Sequence, residues 1–537
     1  MSRSKFKLGT RRSLLAWAQS SWVAREIEKL NPGIQVELVG IETQGDRIQD
    51  VSLRKIEGKE FFVAEIDQAL MKGEVDFTVH SLKDLSLDRP SALRSAAIPR
   101  RANPRDVILF GPQALEKLKK GESLKIGTSS PRRLENIPEF LKNALPRFHV
   151  QQEPLLEWVE IRGNVNTRLS RVHEPQDSPK ALDAVVLAFA GMIRLWADPQ
   201  GRIELSRLLT HVRWMVLPLQ ECPAAPGQGA LAVECRADDD ETFQAVHKLH
   251  DSKTARQISA ERQILSDWGG GCHQRFGATS IEFQNGRDLL WIRGVKSDES
   301  YIEELRWTPP PVWSPQLLDQ KEEVQSSSVF SYPLSWDGSE WKAQAEGLAQ
   351  DQNLQLQPAV FIAHHRALNA QSLAQLENRR VWTSGTASWF KLAAQGVWVE
   401  GSAEGLGFES IIWTLYEKVL GLPELDRWSV LTHQDALEDW HILGMKPNAT
   451  YKLNLNYRIE AVSALKQASF VFWSSGTQAN RLLREASPHA RHACGPGKTA
   501  AYLRDRLGIE PDVFPSSEEW RKWVNHQQAL VSGEVGS

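Results

Sequence analysis

The stretch Asp76-Phe-Thr-Val-His-Ser-Leu-Lys-Asp84 predicts a strand over 76–80 that ends in a turn carrying Lys83 and Asp84. Two further strands are predicted before it, at 5–10 and 35–41, and helical segments separate the three. Strands that alternate with helices at this spacing predict a mostly parallel sheet of the α/β class. Because ligands of such sheets bind at the C-terminal ends of the strands, the turn after this strand is a candidate functional site.

Basic residues follow the other predicted strands as well. The alternation resumes after Pro104, with strands predicted at 124–128, 159–162 and 184–190. The strand ends and turns carry Arg11, Arg12, Lys83, Arg132, Arg133, Arg162, Arg168 and Arg194, with Ser13, Ser129 and Ser130 as neutral donors. Each charge-assisted hydrogen bond is worth about 1.5–3 kcal/mol, so this row predicts a ligand with many carboxylates or phosphates. Any one of these residues, taken alone, is equally well explained as a solvated surface charge.

One acid, Asp84, lies among these bases. As the lone carboxylate of a cationic cleft it would stabilise a developing positive charge or move a proton. Local charge balance with Lys83, or a turn cap, is the alternative that the sequence leaves open. The sequence contains no G-x-x-x-x-G-K-[ST] motif, which weighs against a nucleotide as the anionic ligand.

A second candidate is Cys272, in the glycine-rich stretch Gly269-Gly-Gly-Cys-His-Gln-Arg-Phe-Gly277. Three consecutive glycines free the backbone, so that a loop can present the thiol instead of packing it away. A small buried hydrophobe is nevertheless the commoner role of a lone cysteine. The arginine-rich turns upstream favour the reactive interpretation.

Length and composition restrict the class of protein. A chain of 537 residues predicts roughly three to four domains, and a net charge of −3 gives no reason to expect nucleic acid or an anionic membrane as a partner. The four cysteines form no C-x-x-C pair and show no zinc-ligand spacing, which argues against a disulfide framework or a metal site. The longest apolar run is about half the length of a membrane span, and we expect a cytoplasmic protein.

The C-terminal part of the chain has its own organisation. No tyrosine precedes Tyr301, and most of the 20 tryptophans lie in the second half, which suggests two units of different origin. Val381-Trp-Thr-Ser-Gly-Thr386 is similar to Phe472-Trp-Ser-Ser-Gly-Thr477, and each copy is followed by a helical segment and a predicted strand, at 396–400 and 508–513. Such a repeat predicts two α/β lobes related by duplication.

Eight motifs follow one another in the first 272 residues. They are Gly9-Thr-Arg-Arg-Ser-Leu-Leu-Ala16, Thr43-Gln-Gly-Asp46, Gly58-Lys59, Val79-His-Ser-Leu-Lys-Asp84, Gly127-Thr-Ser-Ser-Pro-Arg-Arg133, Arg162-Gly-Asn-Val-Asn-Thr-Arg168, Pro226-Gly-Gln-Gly-Ala230 and Gly270-Gly-Cys272. Together they resemble the porphobilinogen deaminase family, also called hydroxymethylbilane synthase. The resemblance implies two periplasmic-binding-protein-like lobes and a small α+β domain that bears a cofactor cysteine. The implied boundaries are 1–105 with 214–236 for lobe 1, 106–213 for lobe 2, and 237–345 for the cofactor domain with its linker.

The resemblance also implies an activity, the head-to-tail condensation of four porphobilinogen molecules into hydroxymethylbilane with release of ammonia, in haem biosynthesis. Cys272 would hold a dipyrromethane cofactor through a thioether, and Asp84 and Lys83 would be catalytic. The implied cofactor-binding residues are Ser13, Lys83, Asp84, Thr128, Ser129, Arg132, Arg133, Arg162 and Gly163. The implied substrate-binding residues are Arg11, Ser13, Gln19, Arg162, Arg168 and Arg194. The chain departs from the family after Cys272, where His273-Gln-Arg275 replaces a small residue and a proline.

Between residues 355 and 537 the chain resembles uroporphyrinogen-III synthase more faintly, through Asn456-Tyr-Arg458, Phe472-Trp-Ser-Ser475 and Cys494-Gly-Pro-Gly-Lys-Thr-Ala-Ala501. This resemblance implies a C-terminal duplicated α/β unit with a second activity, in which Tyr457 is the matched phenol. A degenerate, non-catalytic domain is the alternative. For the whole chain, the competing class is a two-lobe protein that only binds an anionic ligand. We expect porphobilinogen and acidic pyrrole chains as partners, no nucleic acid, no membrane and a monomer.

Overall fold

The computed structural model describes residues 3–43, 63–148, 153–268, 274–284, 286–311, 335–337, 344–348, 354–441, 443–454 and 459–532. The chain divides into two compact units. The first unit contains Met1–Arg306, Phe390–Gly401 and Tyr416–Leu422, and the second contains Trp307–Trp389, Ser402–Leu415 and Pro423–Ser537. Two candidate site residues, Cys272 and Tyr457, lie outside the described residues.

The first unit alternates strands and helices along most of its length. Its strands are β1 Lys5–Arg11, β2 Gln35–Ile41, β3 Phe77–Ser81, β4 Leu93–Ala97, β5 Asp106–Phe110, β6 Leu124–Gly127, β7 Leu156–Val159, β8 Ala184–Ala188, β9 Arg213–Val216, β10 Leu231–Arg236, β11 Arg275–Glu282, β12 Asp288–Val295 and β13 Tyr301–Trp307, which ends at the unit boundary. Its helices are α1 Leu14–Leu30, α2 Ala64–Met71, α3 Ala114–Lys120, α4 Pro131–Ala144, α5 Val165–Ser170, α6 Phe189–Ala197, α7 Pro199–Leu208, α8 Asp240–His247 and α9 Ser252–Asp267.

The first sheet has the strand order β2-β1-β3-β10-β4. Strand β1 is parallel to both β2 and β3, which confirms the predicted parallel arrangement, whereas β10 runs antiparallel to its two neighbours. Alternate side chains point to one face of the sheet, and Phe6, Leu8, Phe77 and Val79 pack there in one buried core. The carboxyl ends of β1 and β3 therefore deliver their turns to the same edge.

The second sheet has the order β7-β6-β8-β5-β9. Strand β8 is the apolar run predicted at 184–190, although it ends at Ala188 and the chain then becomes helical. The predicted return to the first lobe at residue 214 comes too early, because Trp214, Met215 and Val216 belong to β9 and pair with β5. All three are buried in this sheet, and the chain crosses back only after Pro218.

The third sheet, β11-β12-β13, packs against α9 around a core of Ile264, Phe276, Ala278, Leu290 and Ile292. The hairpin predicted at 280–283 and 289–294 is confirmed, with longer strands. The predicted third domain began at residue 237, but α8 packs Ala245 and Val246 into the core of the first sheet instead. A hydrogen bond from His247 Nδ1 to the Ala96 carbonyl, 2.8 Å long, attaches α8 to β4.

The second unit is also built from strands and helices in alternation. Its strands are β14 Ser335–Trp336, β15 Gln344–Gly347, β16 Ala359–Ile362, β17 Arg380–Thr383, β18 Gly401–Ser402, β19 Trp428–His433, β20 Lys446–Asn454, β21 Phe470–Trp473, β22 Arg491–Cys494 and β23 Asp512–Val513. Its helices are α10 Ala370–Gln375, α11 Thr386–Ala393, α12 Ile412–Leu415, α13 Leu437–His441, α14 Ile459–Gln467, α15 Gly476–Leu482, α16 Lys498–Leu507 and α17 Ser517–Ser532. Helix α11 and strand β18 cross the unit boundary, since Phe390–Gly401 belongs to the first unit.

Two largely parallel sheets organise the second unit, with orders β15-β20-β19-β16-β17-β18 and β14-β21-β22-β23. The repeated motifs occupy equivalent places, since the first joins β17 to α11 and the second joins β21 to α15. The strand predicted at 396–400 is wrong, because only Gly401–Ser402 is extended as β18, and the strand predicted at 508–513 is restricted to Asp512–Val513. No helix within the described parts of the chain combines the length and apolar character that crossing a membrane requires.

Candidate functional site in the first unit

Lys83 and Asp84 lie in the turn that follows β3, as predicted. The Asp84 amide donates to the Ser81 carbonyl over 3.0 Å, which closes the turn and leaves the Asp84 side chain exposed. Burial lowers the pKa of Lys83, Arg132 and Arg133 lower it further, and Asp84 and Asp106 oppose them. The turn thus brings one ammonium and one carboxylate close to the arginines of α4.

A close backbone contact holds this turn against the return crossing between the first two sheets. Gly227 adopts a φ of 79°, and a Cβ there would come within 3.2 Å of the Leu82 and Lys83 backbone. Any larger residue would therefore push the turn away. The Gly227 amide donates to Glu261 Oε2 over 2.7 Å, so the crossing is also attached to α9.

Asp106, the first residue of β5, is the centre of the buried charge network. Its two carboxylate oxygens accept hydrogen bonds from Arg132 and from Arg133, each 2.7 Å long. Gln228 Nε2 donates to the same carboxylate over 2.9 Å. Burial alone would raise the pKa of Asp106, but the charges and hydrogen bonds of the two arginines lower it below its ordinary value. The aspartate is therefore held ionised.

The arginines of this network are only partly satisfied. Arg132 also donates to the Pro223 carbonyl and Arg133 to the Val186 carbonyl, which fixes both guanidinium groups in place. Their Nε–H groups are buried and meet no acceptor among the residues that the structure describes. These two Nε–H donors could bind an anionic group at the start of α4.

Cations are crowded next to these arginines. The pKa of Arg168 is lowered to about 10, first by burial and then by the nearby charges of Arg133, Arg162 and Arg171. Asp84 is the acid that opposes this shift. Arg168 Nε donates to the Gly163 carbonyl over 2.7 Å, which directs the side chain along α5. A polycarboxylate would relieve the repulsion between these guanidinium groups.

Several predicted site residues have structural partners. The Ser13 side chain caps α1 by accepting from the Ala16 amide over 3.3 Å. Ser129 Oγ donates to the Ile161 carbonyl and accepts from the Ile161 amide, so it joins the ends of β6 and β7. Arg194 on α6 donates to the Gly229 carbonyl over 2.7 Å, and burial lowers its pKa to about 10.

The remaining predicted residues are placed as follows. Thr128 is buried and accepts from the Ser130 amide, and Gln19 is buried in α1. Arg11 is the half-buried last residue of β1, and Gly163 has a φ of 105° at the entrance to α5. The described residues therefore bring together Lys83, Asp84, Arg132, Arg133, Arg162 and Arg168, while Cys272 lies outside them.

Sequence reasoning missed Asp106 and Arg262. The sequence pattern that could have indicated Asp106 is an acid at the start of an otherwise apolar strand, Asp106-Val-Ile-Leu-Phe110. Arg262 of α9 donates to the carbonyls of Leu82, Leu85 and Ser86, at 3.0, 3.1 and 2.8 Å. It therefore holds the chain on both sides of Asp84. Its signal was an arginine on the apolar face of a predicted helix.

A second buried cluster lies behind β3. Oxygen and nitrogen atoms of Asp67, His80 and Glu234 lie within 4.8 Å of one another, a donor set that would suit a metal ion. Arg89 donates to Asp67 over 2.8 Å and to Glu234 over 2.6 Å. Burial lowers the pKa of His80 to about 4. The guanidinium group therefore supplies the positive charge that balances these two carboxylates.

Comparison with known proteins gives matches in the same region. The sequence model of the family described as "Porphobilinogen deaminase, dipyromethane cofactor binding domain" matches residues 6–244. The porphobilinogen deaminase of Brevibacillus brevis is 39% identical over 287 residues, covering 53% of this chain and 83% of that protein. The porphobilinogen deaminase of Bacillus velezensis is 40% identical over 292 residues, covering 54% and 82%. Uroporphyrinogen-III synthetase from Helicobacter pylori aligns with 36% of this chain and 99% of its own, at 15% identity and a TM-score of 0.24.

We expect Asp106→Asn to destabilise the protein by about 3–5 kcal/mol, because two buried guanidinium groups would lose their counter-charge. The folded pKa of Asp106 lies below the unfolded value of 3.8, so its ionised form stabilises the fold above that pH. The difference between wild type and variant should therefore be constant near neutrality and shrink as the pH falls below 3.8.

Denaturant unfolding between pH 3 and pH 7 measures this difference. The matched control is Asp198→Asn, because Asp198 caps α7 and asparagine caps a helix about equally well. Equal stability of the Asp106 and Asp198 variants at pH 7 would contradict the role of Asp106 as the counter-charge of Arg132 and Arg133.

Proposed function

This chain belongs to the porphobilinogen deaminase family, and from that premise we propose which of its residues carry the reaction. The chain is a hydroxymethylbilane synthase, a transferase that joins four porphobilinogen molecules head to tail with release of ammonia in tetrapyrrole biosynthesis. Its cofactor is dipyrromethane, and we propose that Cys272 holds it covalently. The single observation that carries the assignment of roles is that the exposed carboxylate of Asp84 opposes the positive charges gathered around Arg168.

In the proposed arrangement, Asp84 acts on the substrate and its neighbours hold it in place. When the C–N bond of porphobilinogen breaks, ammonia leaves and positive charge develops on the pyrrole and its methylene carbon. A carboxylate at this position stabilises that charge, and it can take the ring proton that is lost when the new C–C bond forms. The cofactor, when bound, supplies the pyrrole carbon to which the first substrate is joined.

The proposed binding residues are the cations that surround Asp84. Arg132, Arg133, Arg162 and Arg168 would bind the carboxylate side chains of the cofactor and of the growing chain, together with Lys83. Each guanidinium group offers paired donors that match a carboxylate. Ser13, Thr128, Ser129 and Gly163 would contribute to the cofactor site, and Arg11, Gln19 and Arg194 to the substrate site. Burial lowers the pKa of Arg168 and the neighbouring arginines lower it further, and this concentration of positive charge supports the proposal.

We propose that the first two sheets are two lobes resembling periplasmic binding proteins. The chain passes between them twice, before β5 and after β9, and strands from both passages lie antiparallel in their sheets. Asp106 stands on the first passage and Gln228 on the second, and their hydrogen bond joins the two. The cleft between such lobes would hold the pyrrole chain.

The first prediction from this assignment concerns Asp84. Asp84→Asn should lower kcat by about 100- to 1,000-fold, because removal of one well-placed electrostatic group costs about 2.7–4 kcal/mol. The melting temperature should not change, since the side chain is exposed in a turn. Steady-state kinetics with porphobilinogen, compared with Asp88→Asn on the same loop, would measure the effect. A loss of less than tenfold would refute the role.

For the second unit we propose a second activity, closure of hydroxymethylbilane to uroporphyrinogen III, on the evidence of one buried amine. The Nζ of Lys498, at the start of α16, lies 3.1 Å from the centroid of the Trp440 ring. It is buried and has no hydrogen-bond partner within the described ranges. Burial lowers the pKa of Lys498 to about 7, against the opposing charges of Asp439 and Glu409. A substrate carboxylate would complete this site.

Two other features of the second unit support the proposal. Gly497 precedes Lys498 and lies close to Gly407, since a Cβ at position 497 would come within 2.7 Å of the Gly407 Cα. The backbone next to the Lys498 amine is therefore packed directly against the backbone of Gly407. Burial lowers the pKa of His433 at the end of β19, and the charge of Lys498 lowers it further, against the opposing charges of Asp435 and Asp439. Tyr457, the phenol proposed to protonate the leaving hydroxyl, lies outside the described residues.

The product isomer tests this second activity. The full chain supplied with porphobilinogen should give mainly the type III isomer, whereas unassisted closure gives type I. Lys498 is charged below about pH 7, so the type III fraction should be higher at pH 6 than at pH 8. Lys498→Gln should reduce that fraction and remove its pH dependence, and Lys466→Gln, an exposed control, should do neither. Only type I product at every pH would refute the second activity and leave the deaminase assignment intact.

A further inference from the structure

Two segments from the C-terminal half of the chain belong to the first unit. They are Phe390–Gly401 and Tyr416–Leu422, and we call them the docking segments. The family model ends at residue 244, so neither docking segment lies in the part of the chain that matches the family model. Their contacts with the second sheet are made by both backbone and side chains.

The first docking segment covers the outer side of β9, the edge strand of the second sheet. Trp398 is buried with 7% of its surface exposed, and its ring packs edge-on against Phe110 with centroids 4.9 Å apart. Its indole N–H donates to the Trp214 carbonyl over 3.1 Å. Two residues along β9, the Val216 amide donates to the Glu400 carbonyl over 2.7 Å.

The same segment contacts the end of α4, the helix that begins with Arg132 and Arg133. The Arg147 amide donates to the Ala393 carbonyl over 2.8 Å. The rings of Phe140 and Phe390 lie 5.9 Å apart. The docking segment thus contacts two elements of the second sheet layer, and one of them carries the proposed cofactor-binding arginines.

The second docking segment contacts α6, the helix that carries Arg194. Its helical turn Lys418–Leu420 packs against that helix. Val419 and Leu420 are buried there. Both segments therefore contact elements that present proposed site residues, although neither contains such a residue itself.

An edge strand needs partners for its outward N–H and C=O groups, and a bare apolar edge promotes aggregation. The first docking segment provides the Glu400 carbonyl as an acceptor and the Trp398 indole N–H as a donor to β9, and it buries Trp398 against that strand. A tryptophan of this kind buries about 150–250 Å². Without the segments, Phe110 would lose its contact with Trp398, and the Trp214 carbonyl and the Val216 amide would lose these hydrogen-bond partners.

We infer that the second sheet of the deaminase region is a docking surface for residues 390–401 and 416–422 of the same chain. Lobe 2 of this enzyme is therefore incomplete without these two docking segments. The inference holds whether or not the second unit catalyses ring closure. A chain that ended before residue 390 would contain every residue proposed for the deaminase reaction and still lack part of the lobe that positions them.

Amide hydrogen exchange of the full-length chain tests this inference. Trp398→Ala should raise the exchange rate of the Val216 and Arg147 amides by about 100-fold, since loss of a large buried aromatic lowers local stability strongly. Trp398→Phe keeps a ring and loses the indole donor, so it should give a smaller increase, about tenfold. This milder variant provides the measurement if the alanine variant does not fold.

The control is Trp413→Ala, which removes a tryptophan that is 38% exposed and lies only a few residues before the second docking segment. It should leave the exchange of both amides unchanged. Exchange at Val216 and Arg147 that is as slow in both Trp398 variants as in wild type would overturn the inference. Fast exchange of these amides in the wild-type chain would overturn it as well.

Discussion

The first unit depends on the ionised carboxylate of Asp106. Taking a carboxylate and two guanidinium groups out of water costs several kcal/mol per ion, and only close hydrogen bonds offset that cost. Asp106 provides them, since each oxygen accepts from one arginine of α4. The same carboxylate accepts from Gln228 on the return passage, so one buried charge joins both passages between the sheets to the helix that begins at the site.

This arrangement explains why so many cations can lie together. Arg132 and Arg133 are balanced by Asp106. Burial lowers the pKa of Arg168 to about 10, and the charges of Arg162 and Arg171 lower it further, with Asp84 as the opposing acid. A chain of acidic pyrroles would relieve that repulsion, and each added ring brings its own carboxylates. Arg262 of α9 fixes the carbonyls of Leu82, Leu85 and Ser86, on both sides of Asp84.

Local patterns were enough to predict most strands of the first unit, the turn with Asp84 and the arginines of α4, because each depends on a short run of residues. Asp106 escaped notice because its role depends on partners 26, 27 and 122 positions away. The assignment of β9 to the second sheet and of α8 to the first also depends on tertiary packing, since their apolar patterns fit either sheet. The docking segments were mistaken in part for a strand at 396–400, because Val397-Trp-Val399 is apolar and β-prone without pairing as a strand. For Cys272 and Tyr457 the sequence and the family resemblance provide the assignment, since both residues lie outside the described ranges.

The central claim is that the first unit carries a covalently attached, polyanionic pyrrole group among these arginines. The intact mass of the full-length chain, purified after expression with porphobilinogen available, tests it most directly. We expect a mass above that of the sequence by one dipyrromethane, and the sequence mass alone for Cys272→Ala. A wild-type chain with no added mass, or a Cys272→Ala chain that keeps the addition, would contradict it.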